Sequence, residues 1–142
     1  MQQQVSVITL AISDLATSTR FYREGFGWLP VFENEEIAFY QMNGFVLGTW
    51  LKQALAADTG RPPAPDGAAA GFALAHNVAG QEDVAPLMAQ LVAAGGRVLR
   101  EPAAPEHGGF RGYVADPDGH AWEIAWNPAW RVDGEGRVWF GL

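Results

Sequence analysis

Val5–Ile12, VSVITLAI, alternates imperfectly between apolar and polar positions but is rich in β-branched residues, and it predicts a strand. Ser13 and Asp14 follow, either of them able to cap a helix over Leu15–Glu24, with Gly25 and Gly27 as its end. Three short strands are expected next, at Trp28–Glu33, Glu36–Met42 and Phe45–Leu51, the last two joined by a two-residue Asn43-Gly44 turn. Residues 52–70, KQALAADTGRPPAPDGAAA, break the pattern. Three prolines and many alanines predict a connection with one helical turn near Gln53–Ala57.

The first pattern then returns. A strand at Phe72–Val78 precedes a helix at Glu82–Ala94 whose Val84, Leu87, Leu91 and Val92 form one stripe. Gly95-Gly96 stops the helix and Val98–Arg100 starts another strand. A loop with Pro102, Pro105 and the run HGG leads to a hairpin, Phe110–Ala115 and Ala121–Trp126, around Asp116-Pro-Asp-Gly119. Each half therefore reads strand, helix, three strands: an α+β chain of two βαβββ modules, 5–51 and 71–127, with a connection at 52–70 and a tail at 128–142. Neither half covers its own curved sheet, so the expectation is two packed modules enclosing a cleft between concave sheets.

Composition narrows the chemistry. The 142 residues suit one domain of ordinary size, and with 49% apolar residues the chain is globular rather than disordered. A formal charge of −7, one lysine (Lys52) and eight scattered arginines argue against a nucleic-acid partner. The absence of cysteine removes disulfides, thiolate metal sites and cysteine nucleophiles. The start, Met1-Gln-Gln-Gln, has neither a positive nor an apolar region of an export signal, and the small or apolar run 68–75 is too short to span a bilayer. No membrane partner and a cytoplasmic location are the expectation. Ser6, Ser13 and Ser18 sit in no nucleophile elbow, and no phosphate-binding loop or dinucleotide fingerprint occurs.

The stretches AISDLATSTRFYREGFGW (11–28) and GYVADPDGHAWEIAWNP (112–128), placed in this order in two βαβββ modules, resemble the vicinal oxygen chelate superfamily. That superfamily includes glyoxalase I, extradiol dioxygenases, fosfomycin-resistance enzymes and bleomycin-binding proteins. The resemblance implies a divalent metal held by one residue on the first and last strand of each module. Its first-strand position, seven residues before the Asp of the Asp-Leu pair, falls on Val7. The fourth-strand position falls near Gly48, with Leu47 and Thr49 within one residue, and the fifth-strand position falls on Phe72. Only the eighth-strand carboxylate, Glu123, matches. One carboxylate does not hold a divalent transition metal, which needs about three or more protein ligands. No metal and no cofactor is therefore expected, and Glu123 reads as the remnant of a metal site.

Strand alternation places Val5, Val7, Thr9, Ala11, Gly48, Trp50, Phe72, Leu74, Ala121 and Ala125 beside Glu123, with His76 at the rim. Trp50 and Phe72 are read either as aromatic walls for a planar ligand or as filling for the space a metal would take. Glu123 is read as a general base, as an acceptor for a ligand, or as a structural partner of Arg111. The hairpin register leaves it facing Gly112 or sharing a face with Arg111 and Tyr113. Tyr113 either donates to a ligand oxygen or is a core tyrosine with its hydroxyl at the surface. His120 belongs to the turn, His107 to the loop, and His76 reads best as a strand-end residue. The tail, with Trp130, Trp139 and Phe140, is expected to fold back on the module or onto a second subunit.

Two functions follow as expectations. The first is metal-independent binding of a small, largely apolar or aromatic molecule by Val7, Trp50, Phe72, Leu74, Arg111 and Glu123, in a homodimer. The second is an isomerase, lyase or hydratase using Glu123 as base, with Tyr113 or Arg111 stabilising an oxyanion. A metal enzyme using His76 or His107 with Glu123 is a further variant.

Overall fold

The structure, a computed structural model, describes residues 1–67 and 71–141. The last three residues of the expected connection, 68–70, and residue 142 at the end of the tail lie outside the described residues. Strand β1 (Val7–Ile12) sends Leu10 and Ile12 into the interior. Of the two possible caps for the next helix, Asp14 is the one used: its carboxylate accepts from the Thr17 amide at 2.8 Å and the Thr17 hydroxyl at 2.6 Å. Ser13 instead donates its amide to Asp118 across the molecule.

Helix α1 (Leu15–Arg20) passes directly into a π-helical segment, Phe21–Phe26, which ends at Gly27 in the left-handed region. Gly25 lies inside this segment rather than ending it. A Cβ there would sit 2.7 Å from Leu91 Cδ2, so the glycine allows close approach to the second long helix. Of residues 28–31, Val31 reaches the sheet, its amide donating to the Phe39 carbonyl at 2.8 Å, but none forms strand. Only Phe32–Glu33 form β2, because Trp28 is turned into a stack with Phe26 at 4.2 Å between ring centres. Strands β3 (Ile37–Gln41) and β4 (Val46–Leu51) are joined through Asn43-Gly44, with Gly44 at φ +89°. Helix α2 (Lys52–Thr59) grows out of β4 for eight residues, longer than the single turn expected, since its alanines favour helix and no glycine intervenes before Gly60.

The second half repeats the scheme with β5 (Leu74–Asn77), a 3₁₀ turn at Gln81–Asp83, α3 (Val84–Ala93), β6 (Arg97–Ala103), β7 (Phe110–Ala115) and β8 (Ala121–Trp126). The sheets have matching orders, β1-β4-β3-β2 and β5-β8-β7-β6, each with its first and last strands parallel. The tail forms a hairpin of β9 (Trp130–Val132) and β10 (Val138–Phe140), which returns to the first half where Asn43 donates to the Glu135 carbonyl at 2.9 Å.

Both sheets and both long helices share one core. Leu10, Ala38, Tyr40 and Leu47 of the first sheet and Val114, Trp122 and Ile124 of the second meet around Phe21, Tyr22, Val84, Met88 and Leu91. A buried polar link crosses it. The Tyr22 hydroxyl donates to Asp116 Oδ2 at 2.7 Å and accepts from Trp122 Nε1 at 3.2 Å. Asp116 Oδ1 in turn accepts the amides of Asp118 and His120, which closes the β7–β8 turn. His120 Nε2 lies 2.7 Å from the Ala11 carbonyl, an acceptor only, so this nitrogen carries the proton.

Replacing Asp116 by Ala orphans three donors, one of them a fully buried phenol. Asp116→Ala should lower the unfolding free energy by about 2–4 kcal/mol in urea titration. A loss of under about 0.5 kcal/mol, the range of ordinary surface changes, would contradict the role given to this link.

Candidate outer-face site

Each sheet has an inner face on the shared core and an outer face turned away from it. On the second sheet, Tyr113 and Ala75 pair with Glu123 from either side, while Arg111 and Asn77 pair with Ala125. Glu123 therefore shares its face with Tyr113 and Arg111, and Gly112 belongs to the other face opposite Ile124. Met88 packs over Gly112 so closely that a Cβ there would fall 2.4 Å from its sulfur. Arg100 of β6 lies opposite Tyr113 and adds a second cation to the outer face. Glu123, Tyr113 and Arg111 are all half-buried. Burial, and after it the adjacent Glu123 charge, push the Tyr113 hydroxyl above its ordinary pKa, so the phenol stays a protonated donor at neutral pH.

The outer face of the first sheet is apolar. Val7, Thr9 and Ala11 lie beside Val46, Gly48 and Trp50, with Phe39 and Ile37 next in register. The Phe39 ring occupies the space over Gly48, 3.1 Å from where a Cβ would stand. Val7 is 48% exposed and Phe32, paired with Phe39, is 51% exposed. The indole nitrogen of Trp50 is buried without a hydrogen-bond partner among the described residues.

Three expected neighbours of Glu123 lie elsewhere. Leu74 and His76 pair with Trp122 and Ile124, so they turn inward, and Ala75 and Asn77 stand beside the carboxylate instead. Phe72 precedes β5, which starts at Leu74, and is 52% exposed. Counting alternation back from an assumed strand start at Phe72 put the whole strand one residue out of phase. The true phase comes from the parallel pairing of Leu74 with Trp122 and of His76 with Ile124, which no local pattern in β5 marks. Nor does a single chain close Val7 and Trp50 over Glu123, since the common core separates the two outer faces. His76 lies across the sheet from Glu123 and His107 is exposed in the β6–β7 loop, so neither joins Glu123 in a ligand set.

A model of the Glyoxalase/Bleomycin resistance protein/Dioxygenase superfamily matches residues 4–124, and the chain belongs to that family. Among solved structures, a glyoxalase-related enzyme from Fulvimarina pelagi is 61% identical, with 99% of this chain and 100% of that chain covered and a TM-score of 0.93. Protein ATC0852 from Agrobacterium tumefaciens is 26% identical, with 89% and 98% covered and a TM-score of 0.73. A lactoylglutathione lyase from Agrobacterium tumefaciens, 20% identical over 89% and 95% with a TM-score of 0.67, shares the fold. No curated protein matches the chain.

The divalent metal that the resemblance implies can be tested against the donors present. Val7 and Gly48 offer no donor atom to the outer face, the Leu47 and Thr49 side chains face the core, and Ala75 stands at the β5 position beside Glu123. Among the described residues no three His, Cys, Asp or Glu side chains come together. The donor set does not fit such a metal. Protein purified without chelator and dialysed against Mn²⁺, Ni²⁺, Zn²⁺ or Fe²⁺ should retain under about 0.1 equivalent of each by elemental analysis. Near-stoichiometric retention that Glu123→Ala abolishes would overturn this.

Proposed function

We propose that the protein is a metal-independent, small-molecule-binding member of its family that works as a cytoplasmic homodimer. The apolar outer face of the first sheet in one subunit meets the polar outer face of the second sheet in its partner, and the ligand lies between them. The observation that carries this reading is that a single chain leaves both faces uncovered. Val7 and Phe32 leave apolar surface uncovered on one, and Glu123, Tyr113 and Arg111 gather on the other.

The ligand is largely apolar or aromatic and carries one polar or cationic group. Trp50 and Phe39 supply ring surface beside the small Gly48 and Ala11. Glu123 accepts from the polar group, and Tyr113 donates. Of the residues expected from sequence, Val7, Trp50, Arg111 and Glu123 stay in this site. Phe72, which precedes β5, and Leu74, on the inner face, do not.

The Fulvimarina relative is named a glyoxalase-related enzyme, which favours a second reading on the same residues. Glu123 would remove a proton next to a carbonyl, and Tyr113 or Arg111 would stabilise the oxygen anion that forms. The two readings part on turnover: binding is stoichiometric in the first, whereas the second gives a pH–rate profile that collapses in Glu123→Gln.

A panel of planar aromatics bearing an amine or amidine, followed by tryptophan emission, is the direct screen. For a hit, Glu123→Gln and Trp50→Ala should each weaken binding by about tenfold or more. Unchanged affinity in both variants would remove the outer faces as the site.

A further inference from the structure

A second site lies on the other side of the β5–β8 sheet. A cavity of about 890 Å³ opens where the inner faces of the two sheets part, and the tail hairpin forms one of its walls. Trp28, Tyr40, Phe45, His76, Trp122 and Trp139 line it. Ala75 and Asn77 of the edge strand β5 reach its lining as well as the outer face, but Val7, Trp50, Arg111, Tyr113 and Glu123 do not, so the groups given the outer-face roles are not part of it.

His76 is the singular residue here. Its ring meets the edges of Phe26 at 5.5 Å and Trp28 at 6.0 Å, and it makes no hydrogen bond with any described residue. His76 is half-buried and lines the cavity. Burial alone lowers its pKa below the ordinary 6.5, so the ring is neutral at neutral pH and presents one acceptor and one donor nitrogen. Among the described residues that line it, Arg137 alone carries a full charge and is paired with Glu135, so these residues offer no free charge with which to hold an ion. The volume is ample for a bicyclic ring system, and the side chains of Trp28, Tyr40, Phe45, Trp122 and Trp139 supply aromatic contact that a planar guest covers.

We propose that this cavity binds a planar aromatic molecule bearing a hydroxyl or ring N–H, which donates to the His76 imidazole while the aromatic walls hold the ring. A weakly acidic donor suits a neutral imidazole acceptor, and a guest without that donor leaves the acceptor unmatched. The tail sets the fourth side. Asp133 accepts from Trp139 Nε1 at 3.1 Å and from the Arg137 amide at 2.9 Å, which orders the hairpin itself, and Asn43 ties it to the first half by donating to the Glu135 carbonyl at 2.9 Å.

The test titrates the full chain calorimetrically with 2-naphthol and with 2-methoxynaphthalene, which differ in the donor. The expected result is binding of 2-naphthol about tenfold tighter than its methyl ether, with the preference lost in His76→Leu and kept in Glu123→Gln. In the unmodified protein, the ring ¹⁵N resonances of His76 should move on adding 2-naphthol, a readout that does not depend on a variant folding. Equal binding of the two compounds, no binding of either, a preference that survives His76→Leu, or His76 resonances that stay still would each overturn the proposal. Loss of the preference in Glu123→Gln would overturn it too, by assigning the compound to the outer faces, whereas failure of the outer-face screen leaves this test intact.

Discussion

The buried hydrogen bond from Tyr22 to Asp116 is the constraint on which the remaining architecture depends. It joins the first helix of one half to the β7–β8 turn of the other, and Trp122 completes it from the second sheet. Burial is the main cause that raises the pKa of both groups, ahead of every charge or hydrogen bond around them. A polar link so desolvated is tolerable only when its partners are matched, and here each oxygen of Asp116 has at least one donor. The two sequence stretches that carry the family resemblance are thus the two ends of one contact. Tyr22 and Trp28 come from the first, and Asp116, His120 and Trp122 from the second.

That contact decides where function can reside. By drawing the helices and the inner sheet faces into one core, it turns both outer faces toward the surroundings. Glu123 and Trp50, neighbours in the simplest picture of a duplicated cleft, end on different outer surfaces of one chain. The outer faces differ in character, one apolar around Val7, Phe32 and Phe39, the other bearing Glu123, Tyr113, Arg111 and Arg100. The inner side keeps its own opening, where the sheets part beside β5.

Much of this was legible in the residues. Asn43-Gly44 and Asp116-Pro-Asp-Gly119 announced both hairpins, because each needs a glycine at positive φ at a known place in the turn. Glu123 stood out as a carboxylate in an apolar strand, and the β7–β8 register settles its neighbours as Tyr113 and Ala75. The phase of β5 was less legible, since Phe72, Leu74 and His76 alternate just as a strand facing Glu123 would. Only its parallel pairing with β8, a contact distant in sequence, turns Leu74 and His76 inward. The π-helical turn was likewise hidden, and the close packing of Gly25 within it against Leu91 is a contact with the other half. Long-range packing decided what local pattern left open.

The account's central claim is that the outer faces of two chains meet, first sheet to second. The chain has no cysteine, so single thiols can be placed without interference. Thr9→Cys protein and mass-tagged Ala75→Cys protein, mixed, refolded together and treated with a short bismaleimide, test the claim directly, since Ala75 is exposed beside Glu123. The account predicts a covalent heterodimer joined between these two positions, found by mass spectrometry after digestion. Absence of that product, or linkage only between like positions, would contradict it.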